Sequence, residues 1–554
     1  MIEPTASNAR FLSPEPEVKL VNSFARPFDN AMATARTCYS GKGIVTAEQV
    51  AALDEPDAAK RVARLKKRDE LAASLFQAGH HTVFQHAHFQ FALSNISRHF
   101  VWSFLHSHPF YNSDQVSQRY VEVKPGACAV PPLAGEAMAV FRQTVGWQFD
   151  AYRRLIELLF PVARAEFFGR FRARGRSPQL YEKEVRKRCA EVARYVLPVA
   201  TFTCLYHTVS GITLLRYHRL MNLFDTPLEQ RIVVGRMVEE LLRCAPEYQA
   251  ILSKPIPFEE TVEYQFVQER QRADDQLVMP IEGARPQPSR TERAQRFREE
   301  FDRELGGRVS KLVDFKSQNE KTLADAVREV FGLMRNDISD DEAIEWVMNP
   351  ARNRYLGDEM NLTAHTKLTR AMVHAHYTFR KKLSHAADSQ DQRHRLTPAS
   401  RPALRAYLTN EPDFITPLLL TLPGAEVANK LYRDTMELTW NSIHKLRSLG
   451  VRNESAAYLL PNAVSIRFTE SSDLAALWHK HAMRLCYNAQ EEIWRASVDE
   501  AEQIRAINPR IGRYLLPPCG LRDLAGQRPI CPEGPRFCGQ PVWKLELKDY
   551  YRTI

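Results

Sequence analysis

The two halves of this 554-residue chain repeat the same short segments in the same order. The segment "VKLVNSF" at 18–24 is matched by "SKLVDF" at 310–315, and "RYVLPVA" at 194–200 is matched by "AYLLPNA" at 457–463. A repeat of this length is a complete domain, so both halves are expected to fold alike. The first pair of segments is predicted to form short strands, and the second pair to open helical, apolar stretches.

Equal spacing supports the duplication. Glu229 follows Pro198 by 31 residues, and Glu492 follows Pro461 by the same interval. Sequence identity between the halves is low, so the duplication is an old one. Two unrelated helical domains with coincidental prolines are the alternative.

A charged, proline-containing stretch at 268–308 separates the halves and is poor in large apolar residues. This composition predicts a linker that leads into a polar helix. We therefore predict a first repeat at 1–267, a linker at 268–308 and a second, more divergent repeat at 309–554. Most other segments have helical periodicity, so each repeat is predicted to be α+β and helix-rich, with a small antiparallel sheet around "HFQFALSNISRHF".

The composition, with 44% hydrophobic and 26% charged residues, is that of a soluble globular protein. No apolar run is long enough to span a membrane, and no signal-peptide pattern opens the chain, so we expect a cytoplasmic protein without a membrane partner. The net charge of +10 favours anionic partners. No basic and aromatic module accompanies that charge, so a nucleic-acid partner is not expected.

The stretch "SQRY" at 117–120 contains groups suited to binding an anion. Arg119 offers a planar fork of donors, Ser117 a hydroxyl and Tyr120 a phenol, and Gln115 adds an amide. On an extended strand Ser117 and Arg119 would point to the same face and could hold one phosphate or carboxylate. The alternative is a surface arginine beside a solvated serine.

Histidines surround the apolar strand predicted in "GHHTVFQHAHFQF", namely His80, His81 and His86. No acidic or cysteine partner lies nearby at metal-ligand spacing. Contact with a cofactor, or a hydrogen-bonded place in the core, is therefore the better interpretation.

Several separated segments together resemble the flavin-dependent thymidylate synthases, the ThyX family. They are "GHHTVFQHAHFQFALSNISRHF", "SQRYV" and "EVARYVLPVA" in the first half, and "RLCYNAQEEIWR" in the second. The resemblance implies a helix-rich α+β domain and a homotetramer whose active sites are shared between subunits. Two such repeats in one chain imply a homodimer that imitates the tetramer.

The resemblance also implies an activity, the reductive methylation of dUMP to dTMP. Methylenetetrahydrofolate supplies the carbon, reduced FAD supplies the hydride and NADPH reduces the flavin again. Pyrimidine nucleotide and folate would then be the ligands. The alternatives are flavin-dependent modification of another pyrimidine nucleotide, or a non-catalytic nucleotide-binding or scaffold homologue without FAD.

Family positions are carried over residue by residue. The residues that match nucleotide-binding positions are Gln115, Ser117, Arg119, Tyr120, Arg194 and Arg484. Three of these are implied to take part in catalysis, namely Ser117, Arg119 and Arg484. The residues implied to lie beside the flavin are His80, Thr82, His86, His106, His108 and Asp114.

The chain departs from the family signature RHRxxSxNExSxRY. Counted back from Arg119, the Arg-His-Arg stretch that holds the flavin in the family is replaced by Ser-His-Pro at 107–109. In the second half, Arg393 is aligned with Arg119, and Asp391 with Ser117.

Two kinds of composite site follow if the halves pack like two family subunits. One combines Ser117 and Arg119 with Arg484, and is predicted to bind an anionic nucleotide. The other combines Asp391 and Arg393 with Arg194 and Met221, and is predicted to be degraded, because an aspartate repels phosphate. The alternative is a structural or regulatory homologue in which duplication relaxed both sites.

Four cysteines lie near the end of the chain, namely Cys486, Cys519, Cys531 and Cys538. Four thiolates can bind a structural zinc ion tetrahedrally and would tie the tail to the preceding helix. The spacing lacks a CxxC pair, so reduced, unlinked thiols are the alternative.

Overall fold

The computed structural model describes residues 10–105, 109–119, 121–222, 227–276 and 290–554. In these ranges the chain forms two helix-rich units, each built around its own four-stranded antiparallel sheet. None of the helices described there is long and apolar enough to cross a membrane.

Both sheets have the same strand order, first-second-fourth-third along the chain. The strands of the first sheet are β1 (Glu17–Ser23), β2 (His88–Ser97), β3 (Asn112–Gln115) and β4 (Phe202–Ser210). Those of the second are β5 (Ser310–Phe315), β6 (His376–Ser384), β7 (Ala399–Ser400) and β8 (Ser465–Asp473). The predicted fold, two α+β repeats with small antiparallel sheets, is confirmed, and "HFQFALSNISRHF" supplies the inner strand β2.

Helices surround both sheets. The first part of the chain contains α1 (Pro27–Thr37), α2 (Ala47–Val50), α3 (Ala58–Gln77), α4 (Arg98–Leu105), α5 (Gly135–Arg170), α6 (Glu182–Ala193), α7 (Gly211–Arg219), α8 (Pro227–Cys244), α9 (Val262–Gln276) and α10 (Arg290–Leu305). The second part contains α11 (Asn319–Phe331), α12 (Asp340–Met348), α13 (His385–Asp391), α14 (Glu426–Ser448), α15 (Asn453–Ala456), α16 (Leu474–Arg484), α17 (Glu491–Ile507), α18 (Pro509–Gly512) and α19 (Pro518–Leu524).

A shared irregularity marks the two sheets as copies. The β1–β2 register shifts between Leu20 and Asn22, and the β5–β6 register shifts between Leu312 and Asp314. These are matching positions of the repeated segments "KLVN" and "KLVD". Bulges are specific backbone features, so one at the same position in both halves supports a common origin.

The segments around Pro198 and Pro461 do not open helices, contrary to the sequence prediction. Each begins with a short 3-10 turn, Arg194–Val196 or Ala457–Leu459, and continues into a strand. The first of these strands, β4, reads "FTCLYHTVS", and such β-branched and aromatic residues favour a pleated, half-buried strand over a helix.

The predicted linker is helical at both ends, because α9 extends to Gln276 and α10 begins at Arg290. Residues 277–289, between these helices, lie outside the described part of the chain.

The two repeats join through reciprocal hydrogen bonds around two prolines. Pro198 and Pro461 are antiparallel bridge partners. The amide of Val199 donates to the carbonyl of Leu460, and the amide of Asn462 donates to the carbonyl of Leu197, both at 2.8 Å. Equivalent residues therefore exchange equivalent bonds, which is the pattern of an isologous interface about a two-fold axis. A single hydrophobic core of residues from both repeats surrounds this junction.

The 31-residue spacing that the two repeats share has a structural cause. Glu229 accepts hydrogen bonds from the hydroxyls of Ser97 and Tyr458, both at 2.6 Å. Glu492 accepts from Ser384 at 2.7 Å and from Tyr195 at 2.6 Å. Each buried glutamate therefore ties the helix-initiating serine of its own repeat to a tyrosine of the other repeat.

The two repeats place different side chains at one equivalent position in their cores. In the second repeat a buried charge cluster occupies it, formed by Lys381, Asp391, Glu470, Lys480 and Glu500. Lys480 lies 2.7 Å from Asp391 and 2.6 Å from Glu470, and Lys381 lies 2.7 Å from both glutamates. Burial, and then the charge of Asp391, raise the pKa of Glu470.

Aromatic side chains fill the matching position in the first repeat. His207 and Tyr217 correspond to Glu470 and Lys480 by the spacing that relates Pro198 to Pro461. Tyr217 and His207 lie 3.3 Å apart through Oη and Nε2, and both rings pack against Phe104. The same fold therefore accepts an aromatic cluster in one copy and a charge cluster in the other.

Candidate functional site

The segment containing Ser117 and Arg119 lies in a turn at the edge of the first sheet. Strand β3 ends at Gln115, and the Ser117 hydroxyl accepts a hydrogen bond from the Arg119 amide at 3.3 Å. The prediction that both side chains point to one face of a strand is therefore wrong. A serine that bonds the backbone two residues ahead favours a turn over continued strand pairing.

Arg119 connects the two repeats. Its Nε lies 3.0 Å from Glu191 of the first repeat, and its Nη2 donates to the carbonyl of Asn488 of the second at 2.9 Å. Its Nη1 donates to Gln390, also of the second repeat, at 3.4 Å. Burial acts to raise the pKa of Glu191, but the charges of Arg119 and its neighbours lower it. Arg119 therefore lies at the interface predicted to contain the nucleotide.

Arg484, the last residue of α16, approaches the same place from the second repeat. Its Nη2 donates to the carbonyl of Gln390 at 3.2 Å, and its Nε donates to Nε2 of His394 at 2.9 Å. Burial lowers the pKa of Arg484 to about 10, and the positive charge of Arg119 acts in the same direction. The structure thus places Arg119 and Arg484 on two sides of Gln390.

Buried donors without acceptors lie on the first-repeat side of this interface. The Asn462 amide donates both to the carbonyl of Arg194 at 3.0 Å and to Gln118 Oε1 at 3.2 Å, so these residues adjoin. In the described part of the chain, Arg194 Nη2, Gln118 Nε2 and Arg98 Nε have no hydrogen-bond partner. Burial, and then the charge of Arg194, lower the pKa of Arg98 to about 9. Unpaired buried donors are costly, and an oxyanion would satisfy them.

The structure describes some of the residues that are expected beside a flavin. His80, Thr82 and His86 are exposed at the 3-10 turn His81–His86, which replaces the beginning of the strand predicted there. Asp114 is 92% exposed and forms an ion pair with Arg393 of the second repeat at 3.2 Å. His106, His108 and Tyr120 lie outside the described residues.

The register of the second sheet corrects the alignment of the two signature regions. Ala399 pairs with Glu470 in that sheet, just as Ser113 pairs with His207 in the first. Counting on from these pairs aligns Arg405 with Arg119 and Ala403 with Ser117. The alignment of Arg393 with Arg119, and of Asp391 with Ser117, is therefore wrong, because it used residues at the end of α13, whereas the counterparts of Ser117 and Arg119 follow β7.

The corrected register shows that the second repeat retains the Arg-His-Arg stretch that the first has lost. Residues 393–395 read Arg-His-Arg and align with 107–109. Arg395 donates to the carbonyl of Pro109 at 3.2 Å, so the second repeat's arginine lies against the segment that lacks one. The sequence signal was present, since Arg405 follows Arg393 at the spacing that separates the corresponding arginines of the family signature.

Comparison with known proteins agrees with this two-repeat organisation. The family model described as "Thymidylate synthase complementing protein" matches twice, over residues 19–247 and 311–510. The chain belongs to this family. Each repeat contributes one match, so the chain is a divergent tandem duplication of the family domain.

Curated relatives with the name flavin-dependent thymidylate synthase align at low identity. The protein of Sulfolobus acidocaldarius is 26% identical over 221 residues, which cover 38% of this chain and 78% of that protein. The protein of Geobacter sulfurreducens is 29% identical over 185 residues, covering 33% and 75% respectively. The protein of Clostridium tetani is 25% identical over 233 residues, covering 42% and 84%.

In this member of the family, the second composite site does not assemble as predicted. Asp391 is buried in the charge cluster, Arg393 faces Asp114, and Arg194 lies on the Arg119 side of the interface. Met221, the counterpart of Arg484, packs against the core of the first repeat. With the corrected register, Arg405 is the counterpart of Arg119, and the two interface sites differ because Met221 stands where the first site has Arg484.

The four C-terminal cysteines of this family member line one small cavity. Burial raises the pKa of Cys486 to about 11 and that of Cys519 to about 12, which favours neutral thiols. Across the described ranges no three His, Cys, Asp or Glu side chains are arranged to hold a metal ion. The structure therefore brings the four cysteines together without a metal-ligand arrangement among the described residues, and the zinc site stays a prediction.

Proposed function

We propose that the interface between the repeats binds a pyrimidine nucleoside monophosphate, dUMP, and that the chain methylates it reductively to dTMP. The observation that carries the proposal is the approach of Arg119 and Arg484 to Gln390 from different repeats. Around them lie buried donors that an oxyanion would satisfy. Membership of the family and relatives named flavin-dependent thymidylate synthase support the same activity.

The roles follow from donor chemistry. Arg119 and Arg484 would bind the phosphate through their planar forks, and Arg194 would supply a further buried positive charge. Ser117, Gln115 and Tyr120 would complete the nucleotide contacts. Since Arg119 pairs with Glu191 at this interface, nucleotide binding would exchange one anionic partner of Arg119 for another.

The flavin is proposed to lie beside the retained Arg-His-Arg stretch. Arg393 and Arg395 would provide the cationic groups, with His80, Thr82, His86 and Asp114 on the first-repeat side; His106 and His108, which lie outside the described residues, are proposed to belong to the same site. The exposed cationic groups of Arg393 and Arg395 fit an anionic cofactor, which would compete with Asp114 for Arg393. FAD would supply the hydride, NADPH would reduce it and methylenetetrahydrofolate would donate the carbon. We also propose that two chains form a pseudo-tetramer in the cytoplasm.

A non-catalytic nucleotide-binding protein is the second candidate, because two family flavin positions have other roles in both repeats. The family's Asn and Arg correspond to Ser210 and Ile212 in the first repeat, and to Asp473 and Ala475 in the second. The side chains of Ser210 and Asp473 accept bonds from the backbone at the first turns of α7 and α16. Another pyrimidine nucleotide as flavin-dependent substrate is a further variant of the proposal.

Formation of dTMP from dUMP by the purified chain, supplied with FAD, NADPH and methylenetetrahydrofolate, tests the proposed activity. The expected result is turnover that Arg119→Gln and Arg484→Gln abolish and that the exposed control Arg433→Gln leaves intact. A protein that binds dUMP without forming dTMP supports the second candidate. A protein that binds neither dUMP nor FAD contradicts both.

A further inference from the structure

A cavity of about 70 Å³ lies where helix α10 covers the second repeat. Three arginines from separate elements line it, namely Arg298 of α10, Arg405 of the 3-10 turn Leu404–Tyr407 and Arg447 of the last turn of α14. Thr409, Asn410 and Asn453 add neutral polar groups to the lining. Its polar groups are thus dominated by hydrogen-bond donors.

Positive charge exceeds negative charge around this cavity. None of the described residues that line it is acidic. Arg298 lies 3.7 Å from Asp413, but that carboxylate already accepts two bonds from Arg467, at 2.6 and 3.3 Å. The carboxyl group of Glu454 interacts electrostatically with Arg405. Burial raises the pKa of Glu454, however, so its negative charge is disfavoured.

One donor at this place lacks an acceptor. The Nε of Arg298 is buried and has no hydrogen-bond partner in the part of the chain that the structure describes. A buried N–H group without an acceptor is unfavourable, and an anion in the cavity would relieve that cost. One water requires roughly 10–15 Å³ of such space, so the cavity has room for a phosphate-sized group.

We propose that this cavity binds a phosphate group, either as the free ion or as part of a small phosphorylated metabolite. The guanidinium groups of arginines match phosphate oxygens in geometry and charge. Neutral and cationic solutes offer no such anionic acceptors. The proposed site shares no described lining residue with the Arg119 and Arg484 interface, although its Arg405 is the counterpart of Arg119 in the other repeat. It also depends on the duplication, because Arg298 lies on the helix that leads from the first repeat into the second.

Calorimetric titration of the full-length Arg119→Gln protein with inorganic phosphate tests the proposal. That background weakens phosphate binding at the candidate nucleotide site, so failure here is distinct from failure of the proposed function. We expect saturable binding that Arg298→Gln and Arg447→Gln each weaken at least tenfold, because each removes a charged donor. The matched control is Arg296→Gln, at an exposed position of the same helix.

Unchanged phosphate affinity in both cavity variants, or no saturable binding in the Arg119→Gln background, would overturn the proposal. If Arg298→Gln prevents folding, Arg447→Gln decides the result, because Arg447 is exposed and its replacement disturbs little packing. A parallel titration with ribose 5-phosphate identifies the source of the phosphate. Tighter binding of the ester indicates a phosphorylated metabolite, and tighter binding of phosphate indicates the free ion; each supports the site.

Discussion

Pro198 of the first repeat and Pro461 of the second are bridge partners, and hydrogen bonds of equal length run in both directions around them. The two halves therefore meet as two subunits of a symmetric dimer would, although they belong to one chain. Since one chain contains both partners, each interface site can change independently. The arginines near Gln390, with no equivalent for Arg484 on the opposite side, are consistent with such divergence.

Both tyrosines that cross the junction should stabilise it. Tyr458→Phe removes the hydroxyl that donates to Glu229, and Tyr195→Phe does the same for Glu492. Each change leaves a buried carboxyl with one bond fewer, so we expect each to lower the free energy of unfolding by about 1–3 kcal/mol. Urea denaturation measures this effect. The exposed control Tyr206→Phe should have almost none, and equal stability of all three variants would contradict the account.

The charge cluster should be sensitive to loss of a single member. Lys480→Met leaves Asp391 and Glu470 without a cation that now lies within 2.7 Å of both. Breaking a buried ion pair from one side typically costs about 3–5 kcal/mol. Thermal unfolding should show a large decrease in midpoint. The matched change in the first repeat is Tyr217→Phe, which removes one neutral hydrogen bond and should cost much less; equal effects would refute the assigned roles.

Acid should destabilise the junction through His99. Burial lowers the pKa of His99 from 6.5 to about 3. As pH falls below 6.5, the unfolded chain takes up a proton that the folded chain does not. The stability present above pH 6.5 is therefore lost progressively down to about pH 3, by up to ~1.4 kcal/mol per pH unit.

Comparison of variants isolates this contribution from that of the carboxyl groups. His99→Phe preserves an aromatic ring against Tyr458, whose ring lies 5.0 Å away, but cannot titrate. Its free energy of unfolding should fall less steeply between pH 6.5 and pH 5 than that of the unmodified chain. The exposed control His365→Phe should leave the slope unchanged. A His99→Phe slope equal to that of the unmodified chain would exclude this role.

Flavin binding should depend on the second repeat's arginines. Arg395→Gln removes a cation beside Pro109, so we expect FAD to dissociate at least tenfold more readily than from the unmodified chain. Fluorescence titration with FAD measures the change, and Arg433→Gln is the exposed control. If FAD binds equally well to both variants, the retained Arg-His-Arg stretch does not hold the flavin.

Sequence patterns identified the repeat and a small sheet in each half, because period, spacing and short strand segments are local features; the glutamate–tyrosine bonds between the halves required the structure. The turn at Ser117 could not be found from alternation, since a side-chain bond to the backbone ended the strand early. Arg393 was aligned with Arg119 from local similarity of the letters after β6, and only the pairing of β7 with β8 fixes the register. The partners of Lys381 and Lys480 come from distant segments, so their burial also required the fold.

Titration of the purified chain with dUMP tests the central claim, one nucleotide site per chain built from both repeats. We expect a stoichiometry of one, with affinity reduced at least tenfold by Arg119→Gln or Arg484→Gln, because each removes a charged donor to phosphate. Arg405→Gln, the same change at the corresponding position of the other repeat, should retain dUMP binding. Two equivalent sites per chain, or loss of binding in Arg405→Gln with Arg119→Gln unaffected, would contradict the claim.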